Sequence, residues 1–234
     1  MPPGDVPTVA AHRPHREEDS VKVTVFGATG QLGRVLVPQL VAAGHDVTAV
    51  VRREEQLATV GEQGATGLLG DLESASVGAA FIGAEAVVWA AGANIMTGPE
   101  HSDRVDREGA ARAIEDAAAA GVNRWIQVSS LYANRWEAAP PVLHHFLQNK
   151  QHADETLKAS GMNWTILRPG GLKNEDATGK VRFAETWDGQ GAPITRADVA
   201  GVIVELLATG RGLGKEFDLG NDDTTTIAEA VAAL

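Results

Sequence analysis

Three glycines at intervals of three residues, Gly27, Gly30 and Gly33, stand where a buried strand pattern gives way to a helical one. Residues 21–26 are mostly β-branched and apolar, and residues 31–43 carry apolar side chains at helical spacing. In that context Gly27 permits the tight turn, Gly30 lets a diphosphate approach the backbone, and Gly33 lets the helix pack near the sheet. The start of the helix directs N–H groups and the positive end of its dipole at the anion. This glycine bend is therefore predicted to hold a dinucleotide. Its other predicted contacts are Thr29, Gln31 and Leu32.

The remainder of the chain alternates between strand and helix patterns. Strands are predicted at residues 46–51, 65–69, 86–90, 124–128, 163–168 and 216–219. Helices are predicted at residues 54–63, 74–81, 103–120, 142–159 and 196–208, and from Ile227 onward.

This alternation predicts one doubly wound α/β domain of the Rossmann type over residues 21–234. Its sheet is expected to be mostly parallel, with helices on both faces, because parallel strands need crossover connections. The glycine-rich residues 170–191 are predicted to be a loop. Residues 1–20 are rich in proline, histidine and charge without any period, which predicts a flexible tail outside the fold.

Composition excludes several classes of site. The chain has no cysteine, so disulfides, thiolate nucleophiles, iron–sulfur clusters and cysteine-based zinc sites are excluded. Its net charge of −11 disfavours nucleic acid, which requires a basic face. No stretch approaches the ~18 apolar residues of a membrane span, and the N-terminus lacks the signal-peptide pattern. We expect a cytoplasmic protein, monomeric or homodimeric, that binds a small molecule, with no nucleic-acid or membrane partner and no metal site.

Further short motifs follow along the chain. They are Val51-Arg52, Gly70-Asp71-Leu72, Ala90-Ala91-Gly92, Val105–Gly109, Val128-Ser129-Ser130, Lys150 and Thr165–Gly170. With these motifs, residues 21–234 resemble the extended and atypical short-chain dehydrogenase/reductase superfamily. Within it they are similar to the small NAD(P)H-binding, NmrA-like and flavin-reductase-like members. The resemblance implies a nicotinamide cofactor and a small substrate pocket formed by C-terminal elements.

The resemblance also assigns cofactor contacts beyond the glycine bend. Asp71 and Leu72 would border the adenine, and three small residues after the fourth strand would let the cofactor pass close to the backbone. Pro169 and Gly170 would offer backbone contacts to the nicotinamide carboxamide. These small residues are Ala90, Ala91 and Gly92. The resemblance also implies cofactor contacts from Ser129 and Lys150.

The end of the second strand indicates which nicotinamide cofactor is preferred. NAD-binding proteins carry an acidic residue there for the ribose hydroxyls, whereas this chain has Arg52 and Arg53. A guanidinium can make paired charge-assisted hydrogen bonds to a 2′-phosphate. NADP(H) is therefore predicted over NAD(H). The alternative is a solvated arginine pair balanced by Glu54 and Glu55.

The catalytic motif of the resembled superfamily is incomplete. Its usual pair is a tyrosine and a lysine one helical turn apart, in which the ammonium lowers the pKa of the phenol. Here Lys150 is present, but Phe146 stands at the tyrosine position, and a phenyl ring cannot donate a proton. Ser130 is expected to hold the substrate oxygen. The chain's only tyrosine, Tyr132, is a candidate acid.

Three functions remain open from the sequence. The first is an NADP(H)-dependent oxidoreductase that transfers hydride to a small organic, quinone- or flavin-like acceptor, with solvent, Tyr132, His144 or His145 supplying any proton. The second is a redox-sensing NADP(H)-binding regulator without turnover, as the NmrA-like resemblance implies. The third is an isomerase that uses the bound cofactor transiently.

Loops expected at the carboxyl ends of the strands carry large apolar side chains. Ligands of open α/β sheets collect at that edge. A partly apolar, aromatic ligand is one interpretation of these side chains, and anchoring of the loops is the other. The residues are Met96, Trp136, Leu172 and Trp187.

Overall fold

The computed structural model describes residues 20–73, 77–187 and 191–234. A main sheet of eight strands runs through these ranges, and a separate pair of short strands lies beside it. The eight are β1 (Lys22–Phe26), β2 (Asp46–Val51), β3 (Thr66–Leu69), β4 (Ala86–Trp89), β5 (Arg124–Val128), β6 (Asn163–Pro169), β8 (Lys180–Ala184) and β10 (Lys215–Thr226). The separate parallel pair is β7 (Leu172–Lys173) and β9 (Ile194–Thr195).

The strand order in the main sheet is β3-β2-β1-β4-β5-β6-β10-β8. All neighbouring strands are parallel except β10 and β8, which are antiparallel. The chain winds outward from β1 in one direction through β3 and then returns to start again at β4. Ligands of such sheets bind where the order reverses, at the carboxyl ends of β1 and β4.

Helices cover both faces of the sheet. On one face α1 (Gly33–Ala42) packs against α6 (Arg196–Thr209), and on the other α4 (Ala110–Ala119) packs against α5 (His144–Ala159). The remaining helices are α2 (Glu55–Glu62), α3 (Pro99–Ser102) and α7 (Ile227–Ala232). In the described ranges, no helix is both long and apolar enough to cross a membrane.

Alternating side chains along the strands build two separate cores. Val23 and Val25 of β1 face α1 and α6, whereas Phe26 faces the opposite core. There Phe26 and Trp89 lie 5.0 Å apart, and Trp89 stacks on Trp125 of β5 at 5.7 Å between ring centroids. Burial on both faces is what a parallel sheet between helices requires. The predicted doubly wound α/β fold is confirmed.

One local prediction was wrong, and one predicted helix differs in its start and its type of turn. The predicted loop at 170–191 contains β8, whose Val181 is buried while neighbouring side chains are partly exposed, so a short strand period was hidden in a glycine-rich stretch. The predicted helix at 103–120 is preceded by α3, and residues Asp103–Gly109 form a π-helix that leads into α4. Sequence periodicity does not distinguish a π-helical turn from an α-helical one.

Some predictions fall outside the described residues. The predicted tail lies there except for Ser20, and so do residues 74–76, the start of the predicted third helix. The described remainder of that segment is a short 3-10 helix at Gly78–Phe81.

Candidate functional site

A cleft of about 330 Å³ lies at the carboxyl ends of β1, β2 and β4, where the strand order reverses. The glycine bend forms its floor, and the ends of β2 and β4 form two of its walls. Of the residues predicted to contact cofactor, the lining includes Gly27, Thr29, Gly30, Arg52, Arg53, Leu72, Ala90, Ala91 and Gly92. The lining also includes Arg34, Gln56, Gly70, Glu73 and His101.

Backbone contacts explain two glycines of the bend. Gly27 has a φ of +78°, and a Cβ there would lie 2.5 Å from the carbonyl oxygen of Ala90. A Cβ on Gly33 would lie 2.2 Å from the carbonyl oxygen of Gly27. Both distances are far below van der Waals contact, so side chains at either position would force α1 or β4 away from β1.

Gly30 differs because it faces the cleft. The nearest atom to a Cβ built there is the carbonyl oxygen of Gly27 at 3.1 Å, and the residue is exposed. Open space in front of a helix N-terminus is the geometry that a diphosphate needs, so the bend fits the predicted dinucleotide. Gln31 is exposed outside the cleft lining, and Leu32 is buried in the core beneath it.

Three arginines line the cleft in a chain of negative net charge. The Arg34 guanidinium donates to the carbonyl oxygen of Thr29 at 3.0 Å, which holds it beside the bend. The Arg52 side chain is 58% exposed, and Arg53 pairs with Glu55 at 2.7 Å. These side chains provide cations for an anionic ligand. The pairing of Arg53 with a glutamate is also what the alternative interpretation, a solvated arginine pair balanced by glutamates, predicts.

Glu73 links the two sides of the cleft mouth. Its carboxylate lies 3.4 Å from Arg52, 2.8 Å from Arg104 and 3.4 Å from His101. The hydrogen bond from Arg104 is the largest cause that lowers the pKa of Glu73 below its usual range. Asp71 accepts a hydrogen bond from the Glu73 N–H and lies outside the cleft lining.

Lys150 is buried beside Gly92 of the cleft lining and is not itself part of that lining. Its ammonium lies 2.8 Å from Asp106 in the π-helical segment and donates to the carbonyl oxygen of Ala91 at 3.3 Å. The ring centroid of Phe146 lies 5.6 Å from the same ammonium. The structure therefore places the lysine against the carboxyl end of β4 and gives it a carboxylate partner, and its contact with a cofactor stays a prediction.

Ser129 and Ser130 differ in their surroundings. The Ser129 hydroxyl donates to Asp154 of α5 at 2.6 Å, and both residues are buried. Complete burial raises the pKa of Asp154 to about 7, while the Ser129 hydrogen bond and the charge of Lys150 oppose that shift. Ser130 is half-buried one residue further along, and its hydroxyl remains the predicted holder of a substrate oxygen.

Tyr132 lies at the edge of a buried charge network. It has a φ of +73°, which is uncommon for a residue other than glycine, and Arg135 stacks 5.0 Å above its ring. Arg135 also bonds to Asp218 of β10, which accepts from Arg168 at 2.8 Å. Through its contact with Arg135, the Tyr132 ring is linked to this network. Tyr132 therefore has a structural role in addition to its predicted role as an acid.

Pro169 and Gly170 lie at the carboxyl end of β6. A Cβ on Gly170 would lie 2.0 Å from the carbonyl oxygen of Gly191, and the Gly171 N–H donates to that same oxygen at 2.8 Å. Close packing of two loops therefore explains the glycine. The predicted contact of Pro169 and Gly170 with a nicotinamide stays a prediction.

Sequence reasoning missed four residues of this region: Arg34, Glu73, Asp106 and Asp154. Arg34 directly follows Gly33 and could have been found as a cation in the first helical turn. The other three are acidic residues whose contacts lie more than ten positions away in the sequence. Asp106 falls within the Val105–Gly109 motif, but the sequence does not indicate its partner, and Glu73 and Asp154 carry no sequence signal.

Comparisons with known proteins agree with this geometry. A family model described as NAD(P)H-binding matches residues 27–210. The chain is 40% identical over 217 residues to the Bacillus subtilis (strain 168) protein named uncharacterized sugar epimerase YhfK, covering 92% of this chain and 100% of that protein.

Two solved structures are also similar. One, from Bacillus halodurans, is provisionally named an NAD-dependent epimerase/dehydratase, and it has a TM-score of 0.88 at 38% identity, covering 92% of this chain and 100% of that one. The other is ChuY from Escherichia coli O157:H7, named an anaerobillin reductase, with a TM-score of 0.76 at 27% identity, covering 87% and 98%.

Replacing Asp154 should change how stability depends on pH. The pKa of Asp154 is about 7 in the fold against an ordinary value of 3.8, so the folded chain keeps a proton that the unfolded chain loses between those values. This group's contribution to the free energy of unfolding therefore falls as pH rises from about 4 to about 7. Relative to Asp154→Asn, the unsubstituted protein should lose on the order of a few kcal/mol over that window, measured by urea unfolding.

The control for this experiment is Asp46→Asn, which changes an exposed aspartate at the start of β2. It should leave the pH slope of the free energy of unfolding as it is in the unsubstituted protein. Identical slopes for Asp154→Asn and the unsubstituted protein would show that Asp154 ionises normally in the fold.

Proposed function

The chain belongs to the NAD(P)H-binding family of atypical short-chain dehydrogenases/reductases, and on that basis we propose that it is an NADP(H)-dependent oxidoreductase. The proposed reaction transfers hydride to a small organic acceptor of quinone or flavin type. The observation that carries the proposal is the cleft at the reversal of strand order, with an open glycine bend at its floor and the Lys150 ammonium next to Gly92 of its lining.

Different residues of the chain would bind different parts of the cofactor. The bend at Gly27–Gly33 and Arg34 would hold the diphosphate, and the carboxyl end of β4 would carry the cofactor toward Lys150. Lys150 would hold the nicotinamide ribose. The cofactor supplies hydride when bound, and binding orients it against the acceptor.

The missing phenol narrows the class of acceptor. Carbonyl reduction to an alcohol needs a proton at the oxygen as hydride arrives, which favours a positioned acid. Reduced quinones and flavins can be protonated by solvent after hydride transfer, so acceptors of this kind suit a site with Phe146 at the acid position. Ser130 would hold the acceptor oxygen, and Tyr132, His144 and His145 are the remaining candidate acids.

Exposed apolar side chains support a flat, partly apolar acceptor. Met96 is 86% exposed in the segment that follows β4, and Val142 is 80% exposed just before α5. Trp136 packs edge-on against His144 nearby, with ring centroids 5.1 Å apart. ChuY, a structural relative, is named a reductase of anaerobillin, which is consistent with this acceptor class.

A regulator that binds NADP(H) without turnover is the second candidate, and Phe146 is the observation that favours it. Because such a protein needs a cofactor site but no acid, a phenylalanine in place of the tyrosine would not impair its function. The epimerase names of two relatives supply a third possibility, in which the cofactor is regenerated within each cycle.

Turnover distinguishes these candidates. We expect steady NADPH oxidation, followed by absorbance, with quinone or flavin acceptors and little or none with simple ketones. Tight NADPH binding without oxidation by any acceptor would contradict the oxidoreductase proposal and favour the regulator. Conversion of a sugar nucleotide without net NADPH consumption would favour the epimerase instead.

Arg52 tests the preference for NADP(H). Replacing Arg52 with alanine should weaken NADPH binding by about 1–3 kcal/mol, because the guanidinium would no longer bond to the 2′-phosphate, while NADH binding should barely change. Calorimetric titration of both cofactors measures the difference. Lys22→Ala removes an equal charge at the start of β1, at the end of the strand away from the cleft, and should change the binding of neither cofactor. Equal losses for NADPH and NADH in Arg52→Ala would rule out the 2′-phosphate role.

A further inference from the structure

The ammonium of Lys150 already has a counter-charge inside the protein. Asp106 lies 2.8 Å from it. The side chain of Lys150 is 6% exposed, and that of Asp106 is 0% exposed. A pair this close and this well shielded from water interacts strongly, and removing one partner leaves a buried charge without compensation. Lys150 and Asp106 therefore act as one nearly neutral unit beside Gly92 of the cleft lining.

Asp106 is held in place by further bonds. The Ala93 N–H donates to its carboxylate at 3.2 Å, and the Ser102 hydroxyl donates to it at 2.9 Å. Asn149 of α5 donates to the Ser102 oxygen at 3.2 Å, which ties this cluster to the helix that carries Lys150. The π-helical backbone at Asp103–Gly109 places the carboxylate on the inner side, and such turns are frequent at functional sites.

Phe146 is the other neighbour of the ammonium, at 5.6 Å from ring centroid to Nζ. A tyrosine at this position would place its hydroxyl near Lys150, as in the superfamily that the chain resembles. The ammonium lowers a phenol's pKa through its positive field. Where a carboxylate 2.8 Å away cancels much of that field, the phenol would gain little.

Other charged groups around Lys150 do not replace Asp106. Asp154, one turn further along α5, hydrogen bonds with Ser129, and Arg168 of β6 also acts on it. Asp103 of the π-helical segment bonds to His145 at 2.7 Å, on the more exposed side of the helix. Asp106 is thus the carboxylate that meets the lysine directly.

We propose that Asp106 has taken the place of the missing phenol as the partner of Lys150. This inference rests on the proposed cofactor site: Asp106 is a positioning residue that orients Lys150 toward the ribose, and the lysine does not activate an acid at position 146. The absence of a tyrosine at position 146 and the presence of Asp106 beside Lys150 are then two features of the same arrangement.

A single-tyrosine protein tests this inference without any cofactor. Because Tyr132 is the only tyrosine, the double variant Tyr132→Phe/Phe146→Tyr carries one phenol, beside Lys150. Its ionisation is followed by phenolate absorbance as pH rises. We expect the phenol to titrate at or above its ordinary value of about 10, and adding Asp106→Asn should lower its pKa by about one or more. A phenol that titrates well below 10 while Asp106 is present would overturn the proposal, and so would no change on adding Asp106→Asn.

Deleting both charges guards against a variant that fails to fold. Asp106→Asn/Lys150→Met removes the pair together and leaves no buried charge without a partner. In the single-tyrosine protein this deletion should leave the phenol's pKa nearly unchanged, because a neutral unit has been removed. A clear rise would mean that the lysine's field was not cancelled, which contradicts the proposal. Since the titration needs no nucleotide, its outcome is separate from whether the chain binds NADPH.

Discussion

The structure depends on close backbone contact between the glycine bend, β4 and the first turn of α1. Gly27 meets the Ala90 carbonyl, and Gly33 meets the Gly27 carbonyl, at distances that leave no room for a side chain. This contact fixes the N-terminus of α1 at the point where the strand order reverses. Gly30 is left facing an open cleft. The same contact therefore sets the packing of the first βαβ unit and the direction in which the helix dipole acts.

Charge follows this geometry in two ways. At the mouth of the cleft, arginines line the walls of an otherwise acidic protein, and Glu73 pairs with Arg52 and Arg104. Behind Gly92 of the lining, Lys150 is paired with Asp106 in a buried unit. The exposed charges at the mouth and this buried pair are thus separate features of the region.

The fold and the cofactor bend were predictable from sequence because both depend on local patterns. Buried strands, helical spacing and the glycine triplet act within a few residues of one another, so β1 to β6 were each placed to within a few positions. The predicted strand at 216–219 was too short, because β10 continues to Thr226. The partners of the key side chains were not predictable. Asp106 reaches Lys150 across 44 positions by way of a π-helical turn, and Asp154 acquires its raised pKa through burial on a helix that looks amphipathic. β8 escaped notice because only Val181 marks its buried face.

Calorimetric binding of NADPH and NADH to Gly30 variants tests the central claim most directly. Gly30→Ala adds only a Cβ, 3.1 Å from the carbonyl oxygen of Gly27, whereas Gly30→Asp also adds a negative charge where the diphosphate is expected. The account predicts that the aspartate variant folds cooperatively and binds both nucleotides about tenfold or more weakly, with a smaller loss for alanine. Unchanged affinity of Gly30→Asp for both nucleotides would contradict it.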